Sequence, residues 1–463
     1  MRTITALLLM FSCACTVSAQ LGWQQLYRAG TSYTFDLIEL PGQHIFTTMG
    51  ATQLLDAQGS IQRASYFHDG GTYGLQTLKR IGPNELLFNT AMDLGSCPWG
   101  NASLRLPVLG KIDTLGHTLL IRKYEMNNGI CSGLPGRLEV TGEKGGITWG
   151  REKNFFAIRV DSMLEPVWTR HVERSGGFQF IKELPNGDLL AGINMDTAGA
   201  VVARMDAEGN FLWSKSYMRP KGMVHDALIE PDGSFIITGY TDSIRSATFP
   251  ASFHPKLFMM KLDGDGEVQW CKGWYSSPYQ WYTYQPSSIR RTLDGQYAVL
   301  ATTGVPQSTH YYHPFLMKTD TNGDTLWTRA VGSSAYTYLP QDLLAHSDGG
   351  YMLSGVIYGE FPESASLKFI YKTDSLGRFN CLEHTNPVEE MDLFPVDSSF
   401  TLTSVSSETT ATTILVNDSI LDPSIFTEYD GCTVATLLDP FKPRRQFRIR
   451  PNPTTGRFTV EFP

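Results

Sequence analysis

The stretch Phe315-Leu-Met-Lys-Thr-Asp-Thr-Asn-Gly-Asp-Thr-Leu-Trp327 decides the fold. An apolar run enters, Asp320 caps a turn with its own side chain, Gly323 takes the positive-φ position, and a second run leaves with Trp327 packed inward. That is a β-hairpin. The phrase recurs: Phe258 to Trp270, Val201 to Trp213 and Phe156 to Trp168 match it, and weaker copies surround Asp56, Asp113 and Asp374. The anchoring aspartates stand at 56, 113, 161, 206, 263, 320 and 374, a period of 45–57 residues. Gly follows three residues later in six copies and Trp seven residues later in four. A Lys or Arg precedes the Asp by two residues in six copies, and alternation puts it beside that Asp, where a local pair is expected.

Each copy follows a second hairpin, clearest in Asp342 to Gly355, Ala227 to Gly239 and Ile181 to Gly192. Asp-Gly and Asn-Gly between apolar runs are strong hairpin signals. Two hairpins per repeat make four strands, the content of one propeller blade, and repeats of this length close radially. The expected architecture is therefore all-β, a seven-bladed β-propeller of four-stranded blades over residues 20–384. Gly22 to Gly30, which contains Trp23, resembles the outgoing strand Leu326 to Gly332 and is expected to complete the seventh blade, removing an exposed edge.

The composition agrees: 18% charged against 12% aromatic, with 43 Gly and 25 Pro, suits short strands and tight turns better than long amphipathic helices. A net charge of −8 lacks the basic footprint of a nucleic-acid binder. Residues 1–19 combine Arg2, the apolar run Ala6 to Phe11 and the small-residue ending Val17-Ser18-Ala19, the pattern of a secretory signal peptide. No later segment is apolar enough to form a transmembrane helix, and a monomer is expected.

Export places Cys97, Cys131, Cys271, Cys381 and Cys432 in a disulfide-permissive compartment, and with five of them at least one stays free. Cys97 with Cys131 is the first candidate pair, because both fall in long loops near blades two and three. Cys381 and Cys432 flank residues 385–441 and form a second candidate pair. That segment, with Ser398, Ser399 and the run Ser404 to Thr413, has the composition of a Ser/Thr-rich spacer or a small β module. Cys-x-x-Cys and zinc-finger spacings are absent, so no metal and no cofactor are expected.

In a propeller the tight turns occupy one face and the long, varied loops the other, where function concentrates. Trp274, Tyr275, Tyr279, Trp281, Tyr282 and Tyr284, then His310, Tyr311, Tyr312 and His313, crowd the long-loop side of blades five and six. Flat rings with polar tips suit a glycan or a surface protein, and these residues form the candidate ligand-binding group. Gly-x-Ser-x-Gly, His-Glu-x-x-His and phosphate-binding loops are absent, so binding is expected ahead of catalysis.

The Asp, Gly and Trp blades resemble those of secreted Bacteroidetes β-propellers and, more distantly, the tryptophan-docked blades of quinoprotein dehydrogenases, whose eight blades and vicinal cysteines are missing here. Near the C-terminus, Pro451-Asn452-Pro453-Thr454-Thr455-Gly456 resembles the opening of a type A C-terminal sorting domain of the type IX secretion system. The resemblance implies export through the periplasm and then the outer membrane by the type IX secretion machinery, with release or attachment at the cell surface. The sorting domain is expected to begin at residue 442, and because that family domain runs for several more strands, the chain is expected to be truncated at Pro463.

Overall fold

The computed structural model describes residues 22–28, 36–42, 44–48, 52–68, 75–96, 103–126, 134–151, 155–196, 198–217, 222–241, 256–276, 281, 287–304, 311–359, 367–415, 417–423, 427–430, 432, 448–451 and 458–461. Within them lie seven five-stranded antiparallel sheets and one separate hairpin. Four strands of every sheet come from the repeat. Blade four, for example, runs outward through Gly176–Glu183, Leu189–Met195, Gly199–Met205 and Phe211–Tyr217. The other repeat-derived blades begin on the innermost strands Leu37–Leu40, Thr77–Arg80, Leu134–Val140, Gly222–Ile229, Ser288–Arg291 and Thr337–Ala345. Blade seven takes its fourth strand from the N-terminus: Trp23–Arg28 pairs with Leu367–Lys372, with Trp23 opposite Lys372 and Tyr27 opposite Lys368.

The turn chemistry explains the repeat. In all seven copies the anchoring Asp accepts the N–H four residues on, at 2.7–2.9 Å, closing the turn with its own carboxylate. The third residue after it has positive φ, including the one non-glycine, Leu164, at +59°. The signature Trp packs on this turn in the next blade: Trp168 against Gly209, Trp213 against Gly266, Trp270 against Gly323 and Trp327 against Gly377. A Cβ at Gly377 would stand 2.3 Å from the Trp327 ring, so packing and a φ of +71° both require glycine. Trp23 packs on Gly59 in the same way, so the N-terminal strand makes the ring-closing contact from blade seven to blade one. Four residues after the Trp position a tyrosine reinforces the seam, Tyr27 on Gly59 O, Tyr217 on Gly266 O and Tyr124 on Leu164 O at 2.8 Å.

The Lys or Arg before each anchoring Asp takes a different partner from the expected one. Lys318 reaches Asp294 at 2.6 Å, Arg204 reaches Asp188 at 2.7 Å, Lys261 reaches Asp232 at 3.6 Å, and Lys372 reaches Asp348. These carboxylates sit at the tight turn of the first hairpin, which lies beside the cation across the sheet, while the anchoring Asp already binds its own turn.

Residues 385–441 are expected as a spacer or small module, and the structure corrects that. From Glu383 to Asp430 the chain runs once around the propeller and adds a fifth, outermost strand to every blade. Glu383–His384 pairs with blade six, Val388–Asp392 with five, Ser398–Ser399 with four and Val405–Ser406 with three. Thr409–Thr413 pairs with two, Asn417–Leu421 with one and Thr427–Asp430 with the N-terminal strand of seven. The belt is fixed at intervals. Leu393 packs on Gly273, Asn386 donates to Thr303 Oγ1 at 2.6 Å, and Glu390 accepts the Thr325 N–H at 2.9 Å. Each blade's unpaired outer edge is thereby covered, which removes seven templates for aggregation.

Cys381, just before the belt, forms a disulfide with Cys432, just after it; the Cα atoms are 5.7 Å apart and the sequence separation is 51. The belt is thus a covalently closed hoop. Cys271 is free and buried, and burial pushes its thiol pKa up. Cys97, Cys131 and residues 1–19 lie outside the described residues, and among the described residues no helix is long and apolar enough to cross a membrane. Arg448–Pro451 pairs with Phe458–Glu461 as a hairpin; Pro451 ends its first strand, and Asn452, Pro453, Thr454, Thr455 and Gly456 lie outside the described residues.

Candidate functional site: the central channel

Aligned on their turns, the seven innermost strands share one alternation. Leu37, Leu78, Leu138, Ile181, Ala227, Ile289 and Leu343 are buried in the blade seams. Period two then turns their neighbours to the axis. One level of the channel carries Asp36, Thr77, Arg137, Phe180, Asp226, Ser288 and Asp342, and the next carries Lys79, Glu139, Lys182 and Arg290. With Trp149, Gln76 and Gln341 these residues line a cavity of about 70 Å³.

Three of the carboxylates clamp adjacent blades. Asp36 accepts the Leu78 N–H at 2.7 Å, Asp342 the Leu37 N–H at 2.9 Å and Asp226 the Ile289 N–H at 3.3 Å, in each case from the following blade. Cations complete the set. Arg290 bridges Asp226 and Asp342, with 2.7 Å to each, and Lys182 stands 3.3 Å from Glu139 and 3.7 Å from Asp226. Lys79 lies 3.6 Å from Asp36. Burial alone would raise Asp226, but Lys182, Arg290, Arg137 and the Ala227 N–H together hold it well below the usual carboxylate range. Burial raises Asp342, against Arg290 and the Leu37 N–H. The channel presents fixed charges in a partly dry space, an arrangement suited to holding a polar ligand.

No protein-family model and no curated protein matches the chain. Among solved structures it is similar to a protein of unknown function from Bacteroides caccae, at 11% identity and TM-score 0.39, covering 66% of this chain and 93% of that one. It is similar to the polysaccharide lyase Uly1 at 8% identity and TM-score 0.42, covering 75% and 92%. YCF48 bound to D1 peptide is similar at 11% identity and TM-score 0.35, covering 75% and 100%.

Three described members of the aromatic group, Trp274, Trp281 and His313, are built into the fold. Trp274 is fully buried four residues after Trp270, the seam position that Tyr217 occupies after Trp213, and its indole donates to Thr325 Oγ1 at 2.7 Å. Trp281 is buried, donates to Trp274 O at 2.9 Å and meets Phe315 edge-on at 4.9 Å. His313 is buried with Nε2 2.9 Å from Ser333 O and Nδ1 3.2 Å from His384, and burial lowers its pKa to about 3. Tyr275, Tyr311 and Tyr312 are half-buried, while Tyr279, Tyr282, Tyr284 and His310 lie outside the described residues. No three His, Cys, Asp or Glu side chains gather as metal ligands among the described residues. The channel residues were missed because no motif marks them; stacking the seven inner strands on their turns and reading every second column would have found them.

Proposed function

We propose that this propeller is an exported binding module, carried by the type IX route to the cell surface or the medium, where it recognises a glycan or a surface protein. The state of the channel carboxylates carries the reading. Asp36, Asp226 and Asp342 are each engaged by a backbone N–H and a cation, and Arg290 stands between Asp342, the one that burial raises, and Asp226, so no two of them face each other across an open gap. A glycoside hydrolase needs the opposite arrangement, one carboxyl held protonated across a gap from a second free carboxylate. The sorting-like stretch Pro451 to Gly456 and the signal-like residues 1–19 support the export half.

Two measurements test it. Fractionation and surface proteolysis of producing cells should find the protein outside, without residues 1–19; cytosolic protein with an intact N-terminus would refute export. A polysaccharide panel should show retention without release of new reducing ends or unsaturated sugars. Turnover abolished by Asp226→Asn would establish an enzyme instead.

A further inference from the structure

Arg137 occupies, in blade three, the level at which blades one, five and seven place Asp36, Asp226 and Asp342. The three aspartates clamp the following blade. Arg137 cannot, because its side chain only donates hydrogen bonds, and among the described residues its guanidinium makes no hydrogen bond or ion pair. It is the exception among the channel cations: Lys79, Lys182 and Arg290 all stand within 4 Å of carboxylates. Arg137 lines the cavity of about 70 Å³ together with Thr77, Ser288 and Trp149. The two hydroxyls and the Trp149 indole N–H are likewise without a hydrogen-bond partner among the described residues. Four donor groups on one cavity therefore serve no bond of the fold, beside carboxylates that are already engaged.

We propose that the channel binds a carboxylate on Arg137, with Thr77, Ser288 and the Trp149 N–H as accessory donors. A planar guanidinium matches a carboxylate in bidentate fashion, and partial exclusion of water strengthens the pair. The cavity admits a group of a few atoms and not a sugar ring, so a ligand inserts its carboxylate and leaves the rest outside. The site deepens the binding reading above and rests on it.

The test is calorimetric titration of the full oxidised chain at pH 7 and low salt with acetate, and with the tripeptide Gly-Gly-Ala carrying a free or an amidated carboxyl. Free carboxylate is expected to bind and the amide is not. Arg137→Gln should weaken binding at least tenfold with the propeller still folded by circular dichroism, and Arg137→Lys, which keeps the charge without the fork, should weaken it less. Arg291→Gln, whose guanidinium pairs with Glu230 away from the cavity, should bind as the parent does. Binding of acetate assigns a small free acid, whereas binding of the tripeptide alone assigns a chain terminus. Equal binding of acid and amide, no binding of either probe, or unaltered affinity in Arg137→Gln overturns the proposal. Retention on the polysaccharide panel in that event leaves the binding-module reading standing.

Discussion

Two polar strips flank the apolar blades, one inside the channel and one around the rim, and they hold by opposite means. On the inside, side chains make the contacts: Asp226 and Asp342 are buried, clamp neighbouring blades and share Arg290. On the rim, backbone pairing sets the register and side chains such as Leu393, Asn386 and Glu390 anchor it at intervals: Thr409–Thr413 pairs with Thr118–Met126, Thr409 opposite Met126 and Thr413 opposite Arg122, while Thr412 and Thr413 face solvent. Position on the inside is fixed by identity, and on the rim by register and by the closing disulfide.

Deleting residues 22–28 should have the largest effect. It removes the fourth strand of blade seven, the Trp23 and Tyr27 contacts to blade one, and the landing site of the belt's last strand. Loss of a single cooperative transition in thermal unfolding is expected; an unchanged midpoint would sever closure from the N-terminus. Cys381→Ser should follow, because opening a loop of 51 residues restores about 4 kcal/mol of chain entropy to the unfolded state in the loop-closure account. Denaturant titration of parent and variant, with and without reductant, would show it, and reduced parent should behave as the variant does.

Asp226→Ala should cost about 3 kcal/mol, since it removes the buried carboxylate, leaves the half-buried Arg290 with one partner and breaks the clamp on blade six. The same residue sets a pH dependence. Its folded pKa lies below its unfolded value, so its contribution is full above about pH 4 and fades as pH falls towards the folded value. Acid titration of Asp226→Asn should therefore run flatter than the parent below about pH 4. On the rim, Thr412→Ser should change stability by less than about 0.5 kcal/mol, because its side chain is exposed and the backbone pairing is kept. A loss as large as that of Asp226→Ala would erase the distinction between the two strips.

The same contrast explains what was legible in the sequence. Asp320, Gly323 and Trp327 announce a hairpin because each has a local duty, a capped turn, a positive φ and a docked ring; the first two duties repeat in all seven copies and the docked ring, counting Trp23, in five. The belt carries no such duties. Its Ser and Thr side chains pack little, its strands are as short as Ser398–Ser399, and only edges built elsewhere in the chain tell it where to lie. Trp274 misleads for a related reason: a ring near a long loop looks like a binding surface until its spacing from Trp270 is matched to Tyr217 and Trp213. Arg137 is visible only by comparison with the strands that carry Asp at the same level.

Residues 383–430 form a belt held by a covalent clasp around the ring of blades. Hydrogen exchange by mass spectrometry on oxidised and reduced protein tests it most directly. Amides of Val388–Asp392 and Thr409–Thr413 should be protected in the oxidised protein and exchange much faster on reduction, while Leu189–Met195 and Tyr351–Tyr358 keep their protection. Belt amides that exchange at unprotected rates in both states would contradict it.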